Sequence, residues 1–268
     1  MTGYALQLDP GELARYRSMG AQARDQEAGL WATAGIVPGA HVADLGCGPG
    51  GTLVAMAELV GPAGSVVGVD GDPAAVDAAG QLIASVGLAN ATARAGEVTA
   101  TGLEPASVDV AVLRHVLAHN GPTEQAIVDH AASLLRPGGC AYLADIDFST
   151  HRTWPDDGIL ERMWRPYQEF HARRGNDLRV GLRLGDLLEG AGLEVVSHGG
   201  VIAALRPPPA GLWGPPWAAR EAMRAAGLVT EAEIAEWRVV LEARDALAVR
   251  PTRFFPLFIA IGRRPVGP

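Results

Sequence analysis

Between residues 38 and 147, short apolar runs ending in glycine or aspartate alternate with alanine-rich stretches, and this alternation constrains the fold more than any other feature. VADL (42–45), SVVGVD (65–70), ATARAG (91–96), VDVAVLR (108–114) and CAYLADID (140–147) read as strands. Residues 50–60, 72–86 and 122–135 lie between them and read as helices. Strands joined through helices run parallel, and the helices then cover both faces of the sheet. The expected fold class is α/β, with a doubly wound, mostly parallel sheet.

The flanks have a different texture. Asp9-Pro10 opens a helical pattern in which Leu13, Tyr16, Met19, Ala23, Ala28 and Trp31 recur at near-helical spacing, so 9–34 is expected to form one or two helices. After Asp147 come an aromatic, arginine-rich segment (148–180), a helix near 182–190 and an apolar strand at 193–205. The Pro/Trp stretch RPPPAGLWGPPW (206–217) opens a second insertion, with helices near 217–226 and 230–248. A last strand, RFFPLFIAIGRR (253–264), carries Pro256, which suggests a bulge or an edge position. The organisation expected is an N-terminal helical cover (1–36), a ligand-binding core (37–150), and insertions with C-terminal strands of the same domain (151–268).

Composition removes several functions. All 22 basic residues are arginine, and without lysine there is no Schiff base and no P-loop. A formal net charge of −8 argues against attraction to nucleic acid. No apolar run suits a membrane span and the N-terminus lacks a signal-like segment, so a cytoplasmic chain is expected. Cys47 and Cys140 form no metal-type pair and are expected as free thiols.

Asp44-Leu45-Gly46-Cys47-Gly48-Pro49-Gly50-Gly51 follows a strand and precedes a helix. Glycines there let a ligand approach the backbone, and the N–H groups at the helix start face it. Gly46, Gly48 and Gly51 also satisfy the dinucleotide pattern G-x-G-x-x-G. Three features favour a different ligand. Asp44 would repel a pyrophosphate and attract a cationic amino group. Asp70, at the end of the next strand, can accept both ribose hydroxyls. Gly96-Glu97 follows the third strand, where an acceptor or backbone N–H can read an adenine edge. Together these describe a nucleoside joined to an amino acid.

VADLGCGPGG, VVGVD, VDVAVLRHVLAH and LLRPGGCAYLAD resemble the signatures of the class I S-adenosylmethionine-dependent methyltransferases over roughly residues 35–150. The resemblance implies a Rossmann-like sheet of seven strands, the last antiparallel, with helical insertions forming a lid. It implies S-adenosylmethionine as cofactor: Asp44, Gly46, Cys47, Gly48 and Gly50 at the methionine end, Asp70 and Gly71 at the ribose, Gly96, Glu97 and Val98 around the adenine. Glu97 stands where the family usually has aspartate. Arg114 and His115 are carried over to the methionine and the reactive methyl; apart from the resemblance, Tyr16 of the N-terminal helical cover is expected to reach the methionine end.

His115 is the first choice for a general base, since a neutral imidazole can take a proton from the acceptor; His151, His171 and Asp145 are rivals, and no base is needed if alignment suffices. The spacing of His115 and His119 invites a metal, but no carboxylate or third histidine lies near in sequence, and no metal is expected. Trp154, Tyr167, His171 and Trp213 are expected to line the acceptor pocket, because ligands of open α/β sheets bind beyond the carboxyl ends of the strands, under such insertions. Arg165, Arg173, Arg174 and Arg179 either bind an acidic group of the acceptor or form a solvated face. The expected activity is methyl transfer to an O, N or C nucleophile of an apolar or aromatic small molecule in bacterial specialised metabolism, with a homodimer left open. The alternatives are a non-methylating S-adenosylmethionine binder or cyclase, and an NAD(P)-dependent oxidoreductase.

Overall fold

The computed structural model describes residues 10–205 and 213–267, so Asp9 and residues 206–212 of the Pro/Trp stretch lie outside the described residues. The parallel core contains β1 (His41–Leu45), β2 (Ser65–Asp70), β3 (Ala91–Ala95), β4 (Val108–Arg114) and β5 (Leu135–Ile146). Their helical connections include α2 (Gly51–Val60), α3 (Pro73–Ser85) and α4 (Glu124–Leu134). The first helix, α1, is a single element from Pro10 to Ala34. Pairing runs β3-β2-β1-β4-β5, every neighbour parallel. The strand order reverses between β1 and β4, and β2, β1 and β4 end there in Asp70, Leu45 and Arg114, where a crevice opens.

Local chemistry sets the boundaries. Asp72 caps α3 by accepting from the Ala74 N–H, with Pro73 in the first turn. Strand β5 starts earlier than its apolar run: Val108 pairs with Leu135, residues 136–139 bulge, and the ladder resumes at Val110 and Cys140.

The C-terminal half adds β6 (Arg152–Trp154), α5 (Ile159–Ala172), α6 (Leu184–Gly190), β7 (Glu194–Leu205), α7 (Pro215–Ala218), α8 (Arg220–Ala225), α9 (Glu231–Asp245) and β8 (Thr252–Arg263). Strand β8 runs antiparallel between β5 and β7, and β6 continues alongside it beyond β5. The short β6 makes eight strands where seven are expected. Pro256 corrects the edge-or-bulge expectation: β8 is an interior strand, paired with β7 through Ile202↔Pro256. It falls between Phe254, which pairs with β6, and Leu257, which pairs with β5. On that flank its missing N–H therefore meets no regular ladder. The register shift of this sheet half lies in β7, between Val195 and Ser197.

Helix α1 is held against the start of α2 by backbone contact. A Cβ on Gly20 would stand 2.2 Å from the Gly51 carbonyl oxygen, and one on Gly51 would stand 2.3 Å from that of Tyr16. Only glycine at both positions lets the helices approach this closely. The apolar stripe of α1 also differs from expectation. Ala28 is exposed, and the buried positions are Gly20, Ala23, Glu27, Trp31 and Ala34. A glutamate thus occupies the middle of the buried face.

Candidate active site

A cavity of about 1030 Å³ opens at the carboxyl ends of β1, β2, β4 and β5. Helix α1 covers it with Tyr16, Met19 and Glu27, while α5 and β8 wall its far side with Trp164, Tyr167, His171 and Phe255.

The floor is the glycine loop. The Gly46 and Cys47 N–H groups both donate to the Val69 carbonyl, at 2.7 and 3.2 Å, turning the chain off β1. Gly46 has φ 76°, and a Cβ there would meet Val116 Cγ2 at 2.6 Å. Asp44 is 2% exposed and its Oδ2 has no hydrogen-bond partner among the described residues. Burial pushes its pKa up to about 7; the Arg114 charge opposes this and Asp70 adds to it. A buried carboxylate with an empty coordination position, facing a cavity, fits a cationic donor.

Asp70 does more than its position at a strand end indicates. Its Oδ2 accepts from the Gly48 N–H (2.8 Å) and its Oδ1 from the Asp72 N–H (2.9 Å), so it ties the glycine loop to the start of α3. Burial raises its pKa against these bonds. Each oxygen keeps a second acceptor site for a ligand hydroxyl.

Tyr16, Asp44, Gly46, Cys47, Gly48, Asp70, Gly71, Glu97, Val98 and Arg114 all line the cavity. Gly50 and Gly96 stand behind the lining: a Cβ on Gly50 would press Ala79 at 3.0 Å, and one on Gly96 would press Val69 at 2.8 Å. Their place is helix and strand packing. Cys47 and Cys140 are buried free thiols, and burial holds the Cys47 thiol far above its usual range. It is therefore no nucleophile at neutral pH.

Arg114 shows a partnership that the sequence does not disclose. Its Nη2 donates to Glu27 Oε1 at 2.8 Å, its Nε reaches the same carboxylate, and the Tyr142 hydroxyl donates to Oε2 at 2.8 Å. Both charged side chains are nearly inaccessible, at 9% and 2%. The pair fastens α1 to the end of β4 directly beside the cavity. The only hint is Glu27 itself, lying four residues from Ala23 and from Trp31 on one helix face.

His115 lines the cavity and has φ 60°, the left-handed region, which a histidine enters only under constraint. Its N–H donates to the Ala144 carbonyl at 2.8 Å, so β4 turns sharply there. No α-helix follows: Leu117–His119 is a single 3-10 turn, and His119 reaches the cavity from it. The His119 and His171 rings lie 4.9 Å apart. Asp145 and His151 do not line the cavity: Asp145 accepts from the Ala118 N–H, and His151 stacks among Phe148, Trp164 and Phe255. Burial lowers the His151 pKa to about 4 and that of His171 to about 3.

Of the residues expected around the acceptor, Tyr167 and His171 line the cavity. Trp154 is 73% exposed and lies outside it, because β6 turns its side chain away from the core. Trp213 lies outside the main cavity, donates to Asp245 Oδ2 at 2.7 Å, and borders a small adjoining chamber. Of the arginine cluster only Arg174 reaches the cavity, its guanidinium stacked 3.8 Å over Phe170; Arg173 pairs with Glu169 and Arg179 approaches Asp147. Among the described residues no helix is long and apolar enough to cross a membrane.

A Rossmann-like sheet, a glycine loop between two acidic strand ends and an aromatic roof define the class as a nucleoside-binding α/β protein of the methyltransferase type. Residues 36–171 match a family model described as a methyltransferase domain, and the chain belongs to that family. It is 31% identical over 201 residues to a nocamycin O-methyltransferase of Saccharothrix syringae, covering 74% of this chain and 62% of that one. It is 33% identical over 126 residues to an arsenite methyltransferase of Halobacterium salinarum, covering 47% of this chain and 32% of that one. The chain thus spans less than two thirds of the length of these curated relatives. The fold is shared at 17% identity with the YcgJ protein of Bacillus subtilis, with a TM-score of 0.55 over 89% of this chain and 97% of that one.

Proposed function

We propose that the protein transfers a methyl group from S-adenosylmethionine to an O, N or C nucleophile of a largely aromatic small molecule, in bacterial specialised metabolism. The observation that carries this reading is the buried Asp44 carboxylate, its Oδ2 without a hydrogen-bond partner among the described residues, at a cavity floor formed by the glycine loop. When bound, S-adenosylmethionine supplies an electrophilic methyl on a sulfonium, open to in-line displacement. Asp44 would hold its amino group, Asp70 its ribose hydroxyls, and Gly71, Glu97 and Val98 would border its base. Tyr16, Met19 and Glu27 of α1 exclude water from above. The likeness to a nocamycin O-methyltransferase over most of this chain supports a small-molecule acceptor and a biosynthetic setting.

Titration calorimetry with S-adenosylmethionine, S-adenosylhomocysteine and NAD(H) tests the cofactor. Binding of a nicotinamide cofactor without either sulfur nucleoside would overturn the proposal. The pH dependence is specific. Asp44 must lose its proton to meet an ammonium, and in the free protein it does so only near pH 7. Affinity should therefore be level above pH 7 and fall by about tenfold per unit below it. A flat profile from pH 5 to 8 would mean that Asp44 is not the ammonium's partner.

His115 stands beside Arg114 at the end of β4 and would accept the proton lost by the acceptor nucleophile. His115→Ala should lower kcat by about 100-fold or more and leave cofactor affinity within a few-fold. Near-wild-type turnover at every pH would show that proximity alone suffices.

A further inference from the structure

The two ends of the cavity differ sharply in polarity. Its five described carboxylates, those of Glu27, Asp44, Asp70, Asp72 and Glu97, all lie on α1 or at the β1, β2 and β3 ends. The far end contains no described carboxylate in its wall and two arginines, Arg174 at the rim and Arg253 on β8.

The unsatisfied polar atoms follow the same division. Among the described residues that line the cavity, the buried orphan at the cofactor end is an acceptor, Asp44 Oδ2, and those at the far end are His171 Nε2, Trp164 Nε1 and Arg253 Nε; Trp31 and His151 also hold unbonded nitrogens but stand behind the lining. The histidine proton can be placed. The Asn176 carboxamide oxygen accepts from the Gly121 N–H at 3.3 Å, which turns its NH2 toward His171 Nδ1 at 2.9 Å. Nδ1 is then the acceptor, and the neutral ring carries its proton on Nε2. All three orphans at the far end are donors. His171 and Trp164 are 4% and 6% exposed. The chamber beside Trp164 and Arg253 has only about 10 Å³, the lower limit for one water, and cannot satisfy both.

The carboxylates nearest Arg253 are engaged elsewhere: Asp157 meets Arg244 Nε at 3.2 Å and Asp245 accepts from Trp213. Burial depresses the Arg253 pKa to about 10, with the Arg244 charge adding to this against the two aspartates. The residue stays cationic, in a wall where a missing anion is costly.

We infer that the acceptor is an organic acid, its ionised group held by Arg253 and a separate oxygen, nearer the transfer site, by the His171 Nε2–H. Its position makes Arg253 an anchor and not part of the transfer site. His115 bonds to Ala144, which is level with Ile259 of β8; Arg253 lies about 20 Å farther along that strand at roughly 3.4 Å per residue. The acid is therefore remote from the atom that receives the methyl, and the acceptor is an elongated molecule. Arg174 on Phe170 adds positive potential at the entrance and steers such an anion inward.

The inference rests on the methyltransferase reading, and one experiment separates the two. With S-adenosylhomocysteine bound and its affinity measured on the same sample, mono-, bi- and tricyclic aromatic carboxylates are titrated beside their primary amides. Wild type should bind at least one acid about tenfold or more tighter than its amide. Arg253→Gln should reduce that preference to within about threefold, and Arg253→Lys should retain most of it, both with unchanged S-adenosylhomocysteine affinity. Loss of S-adenosylhomocysteine binding by wild type would sink the methyltransferase reading. Binding of S-adenosylhomocysteine with no acid preferred over its amide, or a preference that survives in Arg253→Gln, would overturn this inference alone.

Discussion

Replacing Asp44 with asparagine is expected to move binding and stability in opposite directions. S-adenosylmethionine affinity should fall by about 100-fold or more, the usual consequence of removing one charge from a buried, hydrogen-bonded pair. The ligand-free protein should become more stable, because the wild-type carboxylate is buried with an unfilled oxygen and burial raises its pKa to about 7. The sign follows from proton uptake. Between the ordinary carboxylate pKa of 3.8 and about 7, folded Asp44 retains a proton that the unfolded chain has released, so its contribution to stability declines as pH rises through that window. The stabilising effect of Asp44→Asn should thus be near zero at pH 4 and reach its full size above pH 7. Comparing variant with wild type cancels the opposing contributions of His151 and His171, whose lowered pKa values favour folding as pH rises toward 6.5. Thermal denaturation over pH 4–8 with calorimetry at pH 8 checks both parts. A variant that loses stability at pH 8, or keeps its affinity, would contradict the role assigned to Asp44.

The second large effect concerns the fastening of α1. Among the described residues, Arg114→Leu leaves the buried Glu27 only the Tyr142 hydroxyl as a charge-stabilising partner, and should cost about 3–5 kcal/mol. At about 2–4 °C per kcal/mol for a chain of this size, the melting temperature should drop by about 10 °C. Pairing it with Glu27→Leu should restore most of the stability, since neither charge then remains buried alone. Cofactor affinity should not return in the double variant. The Arg114 charge holds down the pKa of Asp44, and without it Asp44 is protonated at higher pH. Recovery of both properties would mean that the ion pair serves packing alone. Recovery of neither would point to a role for Glu27 beyond its partnership with Arg114.

The parallel core was legible because its signals are local. SVVGVD and VDVAVLR occupy the strands that their composition predicts, residue for residue, and Asp72-Pro73 opens α3 as a cap and first turn should. Asp44, Gly46, Gly48 and Asp70 could be grouped before any tertiary contact was known, since each lies at a strand end or in the loop that follows it, and the topology of a doubly wound sheet brings those ends together. Glu27 was not legible. A glutamate on an amphipathic helix ordinarily faces water, and only the arrival of Arg114 and Tyr142, 87 and 115 residues away, makes its burial tolerable. Arg253 was hidden for a related reason. It lies in an apolar strand interrupted by Pro256, far from the arginine cluster of 165–179, and β8 brings it to the cavity by inserting antiparallel between β5 and β7.

The sequence by itself determined the order of strands and helices in the parallel core, the glycine loop and the acidic strand ends, because periodicity, capping and turn chemistry act over a few residues. Only the tertiary structure decided which charges are buried, which of them are compensated, and which polar atoms face the cavity unsatisfied. Those properties depend on desolvation and on partners distant in the chain, and they divide the cavity into an acidic end and a donor-lined end.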